Sequence, residues 1–253
     1  MEAELYAPIV KLHFNKVSSQ FKPPEHKNHV IINEASNEIL HFCSSEYKLK
    51  LNKNIFKPLE ELLQKNKIKF NRVIHIVSKT KFYVDYILNF KKIKIGVLPQ
   101  FTPCISAWNS YDGSLKSQIV FSYFRKDTQK KISSIEVLPL DCDIEICEKT
   151  IKQFANKDRK DFYHYNKLNN VNSGPETIEK ICKKLKLSPE IRKYSIVNFE
   201  EEIRKYKNKT TLFTSYLAIN KAIYECNTKE VPEFKLKRDK AVLNELLKLI
   251  NNL

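Results

Sequence analysis

The stretch from residue 101 to residue 126 constrains the fold most, because an Asp-Gly step lies there between two strand-like runs. The runs are residues 104–108 and 118–125, and the step is Asp112-Gly113. Glycine accepts the positive φ that tight turns require, so such a step is typical of a β-hairpin. The chain has only three glycines. The pattern therefore predicts a hairpin at this point, with a turn that other residues would not close easily.

The predicted turn is rich in hydrogen-bonding groups, and the sequence allows two interpretations of it. One is an ordinary structural turn, which Asp-Gly steps usually are. The other is a binding site close to Trp108, the only tryptophan. Tyr111 is expected to be accessible because it lies in the turn, whereas most strand aromatics are expected to pack in the core. The turn motif consists of Asn109, Ser110, Asp112, Gly113 and Ser114, with Tyr111 at its centre.

Hydrophobic periodicity divides the chain near residue 140. Before that point, alternation with a period of two predicts strands, with one helix near 54–65 between them. After it, apolar residues recur at helical spacing. The prediction is an α+β protein, with an antiparallel sheet that contains one inserted helix, followed by a helical C-terminal half. We expect a mainly β core domain over 1–140 and a helical region over 141–253 that packs on it, with residues 1–27 irregular and 157–165 in a polar linker.

The charge of the chain points to a polyanionic partner. There are 45 Lys and Arg residues against 29 Asp and Glu residues, which gives a net charge of +16. The excess is spread along the chain, and a folded basic surface of this kind attracts nucleic acid. A Lys-rich composition also arises from an AT-rich genome, so the charge favours a nucleic-acid partner without fixing it.

Basic and aromatic residues alternate along the predicted sheet, as in proteins that hold phosphates on cations and bases on rings. The rings interleaved with the basic residues are Tyr83, Trp108, Tyr123 and Phe124. A second basic and aromatic group occurs in the predicted linker, where an ordinary solvated loop is the alternative. The predicted nucleic-acid contacts are Lys79, Lys81, Lys91, Lys92, Lys94, Tyr111, Lys116, Arg125 and Lys126, and the second group is Lys157, Arg159, Lys160, Tyr163, His164 and Tyr165.

The sequence contains no strong catalytic motif. It predicts no catalytic residue, no bound metal and no cofactor. Three glycines leave no room for a Gly-rich phosphate loop. Cys142 and Cys147 lack the usual zinc spacing. Asp141, Asp143 and Glu145 alternate, so they could hold Mg²⁺ for phosphodiester cleavage. The favoured interpretation of these acids is a strand-to-helix junction, since carboxylates are stabilised at a helix N-terminus.

Cysteine use and hydropathy predict a cytoplasmic protein with no membrane segment. The six cysteines are scattered and lie mostly in apolar runs, which indicates reduced, buried thiols. The N-terminus lacks the features of a signal peptide. No apolar stretch approaches the roughly 18–20 residues that a membrane span requires.

The order of elements and two short motifs resemble a phage- and plasmid-encoded family, domain of unknown function 932. The motifs are the turn 109–114, where this chain has Tyr111 in place of the expected histidine, and the late helix around 215–222. The resemblance implies an origin in a mobile element. Its strand–helix–strand layout is also similar to that of single-strand annealing proteins, which hold one DNA strand along a basic groove.

Together these features predict a protein that binds single-stranded nucleic acid, with DNA favoured, and that promotes strand annealing. Homo-oligomer formation is compatible with this prediction. One alternative is a phage structural or interaction protein, such as a virion component or a host-directed inhibitor. A second alternative is a metal-dependent nuclease that uses Asp141, Asp143 and Glu145.

Overall fold

The structure is a computed structural model, and it confirms the α+β class. Among the described residues, helices account for 47% and strands for 28%, and the C-terminal half is mostly helical. In the described part of the chain, no helix is both long and apolar enough to cross a membrane. The structure describes residues 1–14, 24–89, 101–125, 127–128, 130–139, 144–155, 160–207, 209–226 and 232–251.

The strands form two separate sheets, and the first has three strands. It consists of β1 (Ile9–His13), β2 (His29–Asn33) and β3 (Glu38–Cys43), which are antiparallel in the order β1-β2-β3. A short helix, α1 (Glu2–Leu5), precedes it. The expectation that residues 1–27 are irregular is therefore wrong for α1 and β1. Alternate residues of the strands build a small apolar core around Phe14, Val30 and Ile32.

The helix predicted near 54–65 is α2 (Lys53–Lys65). Its buried side chains recur at helical spacing and form one face. Tyr86 lies in the strand β5 (Lys81–Leu88) and is buried, and its hydroxyl donates a hydrogen bond to Glu60 on α2 at 3.1 Å. The apolar face of α2 comprises Ile55, Phe56, Leu59, Leu62 and Leu63.

The second sheet has five antiparallel strands in sequence order. On β5, Phe82, Val84, Tyr86 and Leu88 are buried at alternate positions, as the period of two predicts. The predicted hairpin joins β6 to β7. The strands are β4 (Phe70–Ser78), β5 (Lys81–Leu88), β6 (Phe101–Ser110), β7 (Gln118–Arg125) and β8 (Lys130–Pro139).

The helical half is built around α7 (Leu212–Glu225), in which eleven of 14 residues are buried. It packs against four other helices, which explains why buried side chains occur around most of its circumference. Thr211 caps α7 by accepting a hydrogen bond from the Thr214 amide at 3.2 Å. The helices are α3 (Ile144–Ala155), α4 (Lys160–Asn169), α5 (Pro175–Lys184), α6 (Pro189–Lys205), α7 (Leu212–Glu225) and α8 (Pro232–Asn251).

The chain forms two compact units, each assembled from several segments. The first comprises Met1–Leu88, Ile105–Val120 and Val137–Glu148. The second comprises Asn89–Cys104, Phe121–Glu136 and Lys149–Leu253. The predicted division into 1–140 and 141–253 stays a prediction.

Candidate nucleic-acid interface

The Asp112-Gly113 turn is closed by its own backbone and side chains. Gly113 has a φ of +69°, the left-handed region that favours glycine. One carboxylate oxygen of Asp112, Oδ1, accepts a hydrogen bond from the Ser114 amide at 2.9 Å. The Ser110 hydroxyl accepts one from the Leu115 amide at 3.0 Å. These bonds within the turn are the kind that Asp and Ser contribute to turns in general.

Asp112 also joins this turn to the turn between β4 and β5. Its second oxygen, Oδ2, accepts a hydrogen bond from the Thr80 hydroxyl at 2.8 Å. The Tyr111 amide donates to the Thr80 carbonyl at 2.8 Å, and Lys81 Nζ lies 3.9 Å from Asp112. Burial by itself would raise the pKa of Asp112, but the hydrogen bonds from Ser114 and Thr80 and the charge of Lys81 outweigh it and hold the pKa below its ordinary value.

Asn109 anchors the same turn to the segment that precedes α2. Its amide donates to the Lys50 carbonyl at 2.8 Å and to the Asn52 side chain at 2.9 Å. Its own side-chain oxygen accepts from the Ser117 hydroxyl at 3.0 Å. The polar residues of the turn motif thus bind other parts of the protein, so the structure favours the structural interpretation of the turn.

Three of the rings that are interleaved with the basic residues are buried, as expected for the strand aromatics Trp108 and Tyr123 but not for Tyr111. Trp108, Tyr111 and Tyr123 are 3%, 1% and 0% exposed. The expectation that Tyr111 is accessible is wrong, because its ring packs against that of Phe82, with the two ring centroids 5.2 Å apart. Burial raises the pKa of Tyr111 to about 12, although a backbone hydrogen bond opposes the shift. Sequence position alone could not show that a tyrosine in a turn points inward.

Arg125 is also buried, at 1% exposure, which corrects its predicted place on the binding surface. Its guanidinium donates to Asp127 through two nitrogens, each at 2.8 Å, and to Glu202 at 2.6 Å. It further donates to the Tyr206 hydroxyl at 2.7 Å. Burial would lower the pKa of Arg125, but these acidic partners raise it. Arg125 is therefore a structural cation of the second unit.

Three of the predicted lysines lie in the described part of the chain, at one end of the five-stranded sheet. Lys79 and Lys81 flank the turn that contacts Asp112, and Lys116 is exposed just after the hairpin turn. Lys79 also pairs with Glu38. The remaining predicted lysines, Lys91, Lys92, Lys94 and Lys126, lie outside the described residues.

The structure adds Lys48 and Lys50 to this end of the sheet. A Cβ on Gly113 would lie 3.0 Å from the Tyr47 ring, and the Lys50 carbonyl accepts from Asn109. Both lysines are exposed. The sequence did not indicate them, because more than 55 residues separate Lys50 from Asn109 along the chain. We call Lys48, Lys50, Lys79, Lys81 and Lys116 the turn-end lysines.

The second predicted basic group lies partly in a helix, where a loop was expected. Residues 160–169 form α4, so the linker interpretation is wrong for that part. Tyr165 is 1% exposed, whereas Tyr163 is exposed and lies 4.5 Å from Lys167 Nζ. The side chain of Lys160, and all of Lys157 and Arg159, lie outside the described residues.

Of the three predicted magnesium ligands, the structure describes only Glu145. Glu145 occupies the first turn of α3, where a carboxylate is stabilised by the helix N-terminus. Asp141 and Asp143 lie outside the described residues. Among the residues that the structure describes, no group of three or more metal-ligating side chains is assembled.

Comparisons with family models, with curated proteins and with solved structures found no match to this chain. The resemblance to domain of unknown function 932 and to annealing proteins stays a prediction.

Proposed function

We propose that this protein binds nucleic acid, with single-stranded DNA as the favoured ligand, through phosphate contacts from the turn-end lysines. The observation that carries the proposal is the meeting of three segments, 44–50, 78–81 and 109–117, at one end of the sheet. Together they carry five lysines and two carboxylates, Glu46 and Asp112. Asp112 is engaged by Ser114, Thr80 and Lys81, and Lys79 pairs with Glu38 of β3, so five lysines meet three carboxylates at this end of the sheet. The cluster is thus an excess of positive charge that suits a phosphate backbone.

Binding at this surface is expected to depend on phosphates more than on bases. Lys side chains contact phosphates as point charges and do not read base edges by themselves. The three buried rings Trp108, Tyr111 and Tyr123 cannot stack on bases in this conformation. We therefore expect affinity that varies little with sequence and falls steeply with salt. Strand annealing is the extension of this proposal that the predicted resemblance suggests.

The experiment is a fluorescence-anisotropy titration of labelled single- and double-stranded oligonucleotides at several salt concentrations. The test variant carries Lys48→Glu and Lys116→Glu, two exposed lysines on segments that meet at the turn. Removing one phosphate contact should reduce the slope of log K against log salt by about 0.7 for a single strand. The variant should bind every oligonucleotide more weakly than the wild-type chain.

The matched control carries Lys180→Glu and Lys193→Glu, on the exposed surfaces of α5 and α6 in the second unit. It has the same net charge as the test variant, so it separates a local contact from the effect of total charge. An equal loss of affinity in the two variants would rule out the turn-end lysines as the binding surface. No affinity of the wild-type chain for any oligonucleotide at about 50 mM salt would refute the proposed function.

A further inference from the structure

Two histidines face each other across the first two strands of the three-stranded sheet. His13 on β1 is directly opposite His29 on β2 in the antiparallel register. Their ring centroids lie 5.1 Å apart in an edge-to-face arrangement. His13 is exposed and His29 is partly exposed, so solvent reaches the pair. Neither residue belongs to the proposed nucleic-acid interface.

The register places these two side chains in one of the more closely spaced pairs of the antiparallel ladder. The neighbouring pair is hydrogen-bonded, since the Phe14 amide donates to the Asn28 carbonyl at 2.9 Å. At the other end of the ladder, the Glu34 amide donates to the Pro8 carbonyl at 2.8 Å. Hydrogen-bonded and non-hydrogen-bonded pairs alternate in an antiparallel ladder, so His13 and His29 form a non-hydrogen-bonded pair. Side chains approach most closely at such pairs.

The ring separation fits a shared metal ion. For a tetrahedral Zn²⁺ centre with Zn–N bonds of about 2.1 Å, two ligating imidazoles have centroids roughly 5 Å apart. The observed separation of the His13 and His29 rings is 5.1 Å.

A second observation concerns the hydrogen bond that the His29 ring makes. Its Nδ1 lies 2.7 Å from the Asn28 side-chain oxygen, which can only accept a hydrogen bond. Nδ1 therefore donates this hydrogen bond, and in the neutral ring Nε2 carries the lone pair. Ligating histidines in metal sites have the same arrangement, in which the other ring nitrogen donates to an oxygen of the protein.

We propose that His13 and His29 form a two-imidazole site for a borderline divalent cation of the zinc, nickel or copper class. Imidazole is a preferred ligand of these ions, and water completes the coordination. Cys43 lies opposite His29 on β3 and is only 3% exposed, and we do not assign it as a ligand. The charges of Lys11 and Lys27 near this face of the sheet oppose a cation, which keeps the affinity moderate.

The test is isothermal titration calorimetry of ZnCl₂ into the untagged 253-residue chain, with its thermal unfolding measured without zinc. We expect one zinc ion per chain. His13→Gln and His29→Gln should each lower the affinity by at least about 10-fold, and Asn28→Ala, which leaves both rings in place, should lower it by about 10-fold. All three variants should unfold at the wild-type temperature in the absence of zinc.

His41→Gln and Cys43→Ser are the matched controls, because both residues belong to β3 and neither is one of the two proposed ligands. They should bind zinc as the wild-type chain does. The proposal is overturned if the wild-type chain takes up no zinc, or if His13→Gln binds it with unchanged affinity. It is also overturned if His41→Gln lowers the affinity as much as His29→Gln. If a ligand variant fails to fold, Asn28→Ala gives the deciding measurement.

Discussion

At the scale of single residues, the hairpin turn shows how a few side chains hold a segment of this chain in place. Gly113 supplies the positive φ, and Asp112 accepts hydrogen bonds from Ser114 within the turn and from Thr80 outside it. Tyr47 lies against the glycine, so the site is both conformationally and sterically restricted. These contacts explain why the motif serves the fold.

Replacing Gly113 with Val should destabilise the protein by about 1 kcal/mol or more, because a β-branched residue is strained at positive φ. The added Cβ would also lie 3.0 Å from the Tyr47 ring. Equilibrium urea unfolding measures the change. Gly113→Asn should destabilise the protein less than Gly113→Val does, since Asn tolerates the left-handed region.

Gly174→Ala is the control for this prediction. Gly174 precedes α5 with a φ of −138°, and the atoms nearest to an added Cβ there belong to the end of the flexible Glu176 side chain. Its substitution should change stability little. Equal losses of stability on substitution of the two glycines would show that backbone strain at Gly113 does not cause the destabilisation.

The lowered pKa of Asp112 predicts a pH dependence of stability. A carboxyl with a depressed folded-state pKa stabilises the fold above its unfolded pKa, and this contribution is lost as pH falls through the folded value. The loss for Asp112 is therefore expected at about pH 4 and below, given an ordinary carboxyl pKa near 3.9. Asp112→Asn should fold, since Asn also suits turns, and should lose less stability than the wild-type chain on acidification. Unfolding curves at stepwise pH give the comparison, and parallel losses in the two proteins would contradict the prediction.

At the scale of elements, one buried ion-pair cluster links the end of β7 to α6 within the second unit. Arg125 ends the strand, and Glu202, which is fully buried, lies in the helix. Tyr206 follows the helix and donates to Asp127 at 2.9 Å. Two elements far apart in sequence are thus joined by charge-assisted hydrogen bonds, which are stronger than neutral ones.

Arg125→Met should destabilise the protein by about 3–5 kcal/mol, because it leaves the Glu202 carboxylate buried without its partner. Adding Glu202→Gln should restore part of that loss by removing the orphaned charge. Chemical unfolding of both single variants and the double variant measures the coupling. If the change in the free energy of unfolding in the double variant equals the sum of the changes in the two single variants, the two residues do not act as a pair.

At the scale of the whole molecule, the net charge of +16 acts on stability and on binding in opposite directions. Like charges on a folded surface repel one another, and salt screens that repulsion. Salt also weakens phosphate contacts. The described exposed ion pairs, such as Lys183–Glu179, contribute little to the free energy of unfolding. Screening of these pairs by salt therefore lowers stability little.

Raising the salt from about 0.05 to 0.5 M should therefore raise the unfolding temperature while it lowers affinity for an oligonucleotide. Differential scanning calorimetry and the anisotropy titration measure the two effects. The variant with Lys48→Glu and Lys116→Glu has four fewer net positive charges, so its unfolding temperature should rise less. A fall of the wild-type unfolding temperature with salt would show that attractive ion pairs dominate.

The sequence by itself determined features that depend on near neighbours. The Asp112-Gly113 step placed a turn between two strands, alternation identified the buried face of β5, and helical spacing identified α2. These patterns arise from backbone conformation and from the two periods of side-chain direction, both of which are local. The α+β class follows from them.

Only the tertiary structure decided which of the named residues are available to a partner. Tyr111 and Arg125 are buried by segments distant in sequence, and Lys50 reaches the turn by a contact across 59 residues. The pairing of His13 with His29 depends on strand register, which the amino-acid sequence does not show. Burial and register depend on what distant segments bring to a position, and for that reason the local pattern could name candidate residues but could not assemble the site.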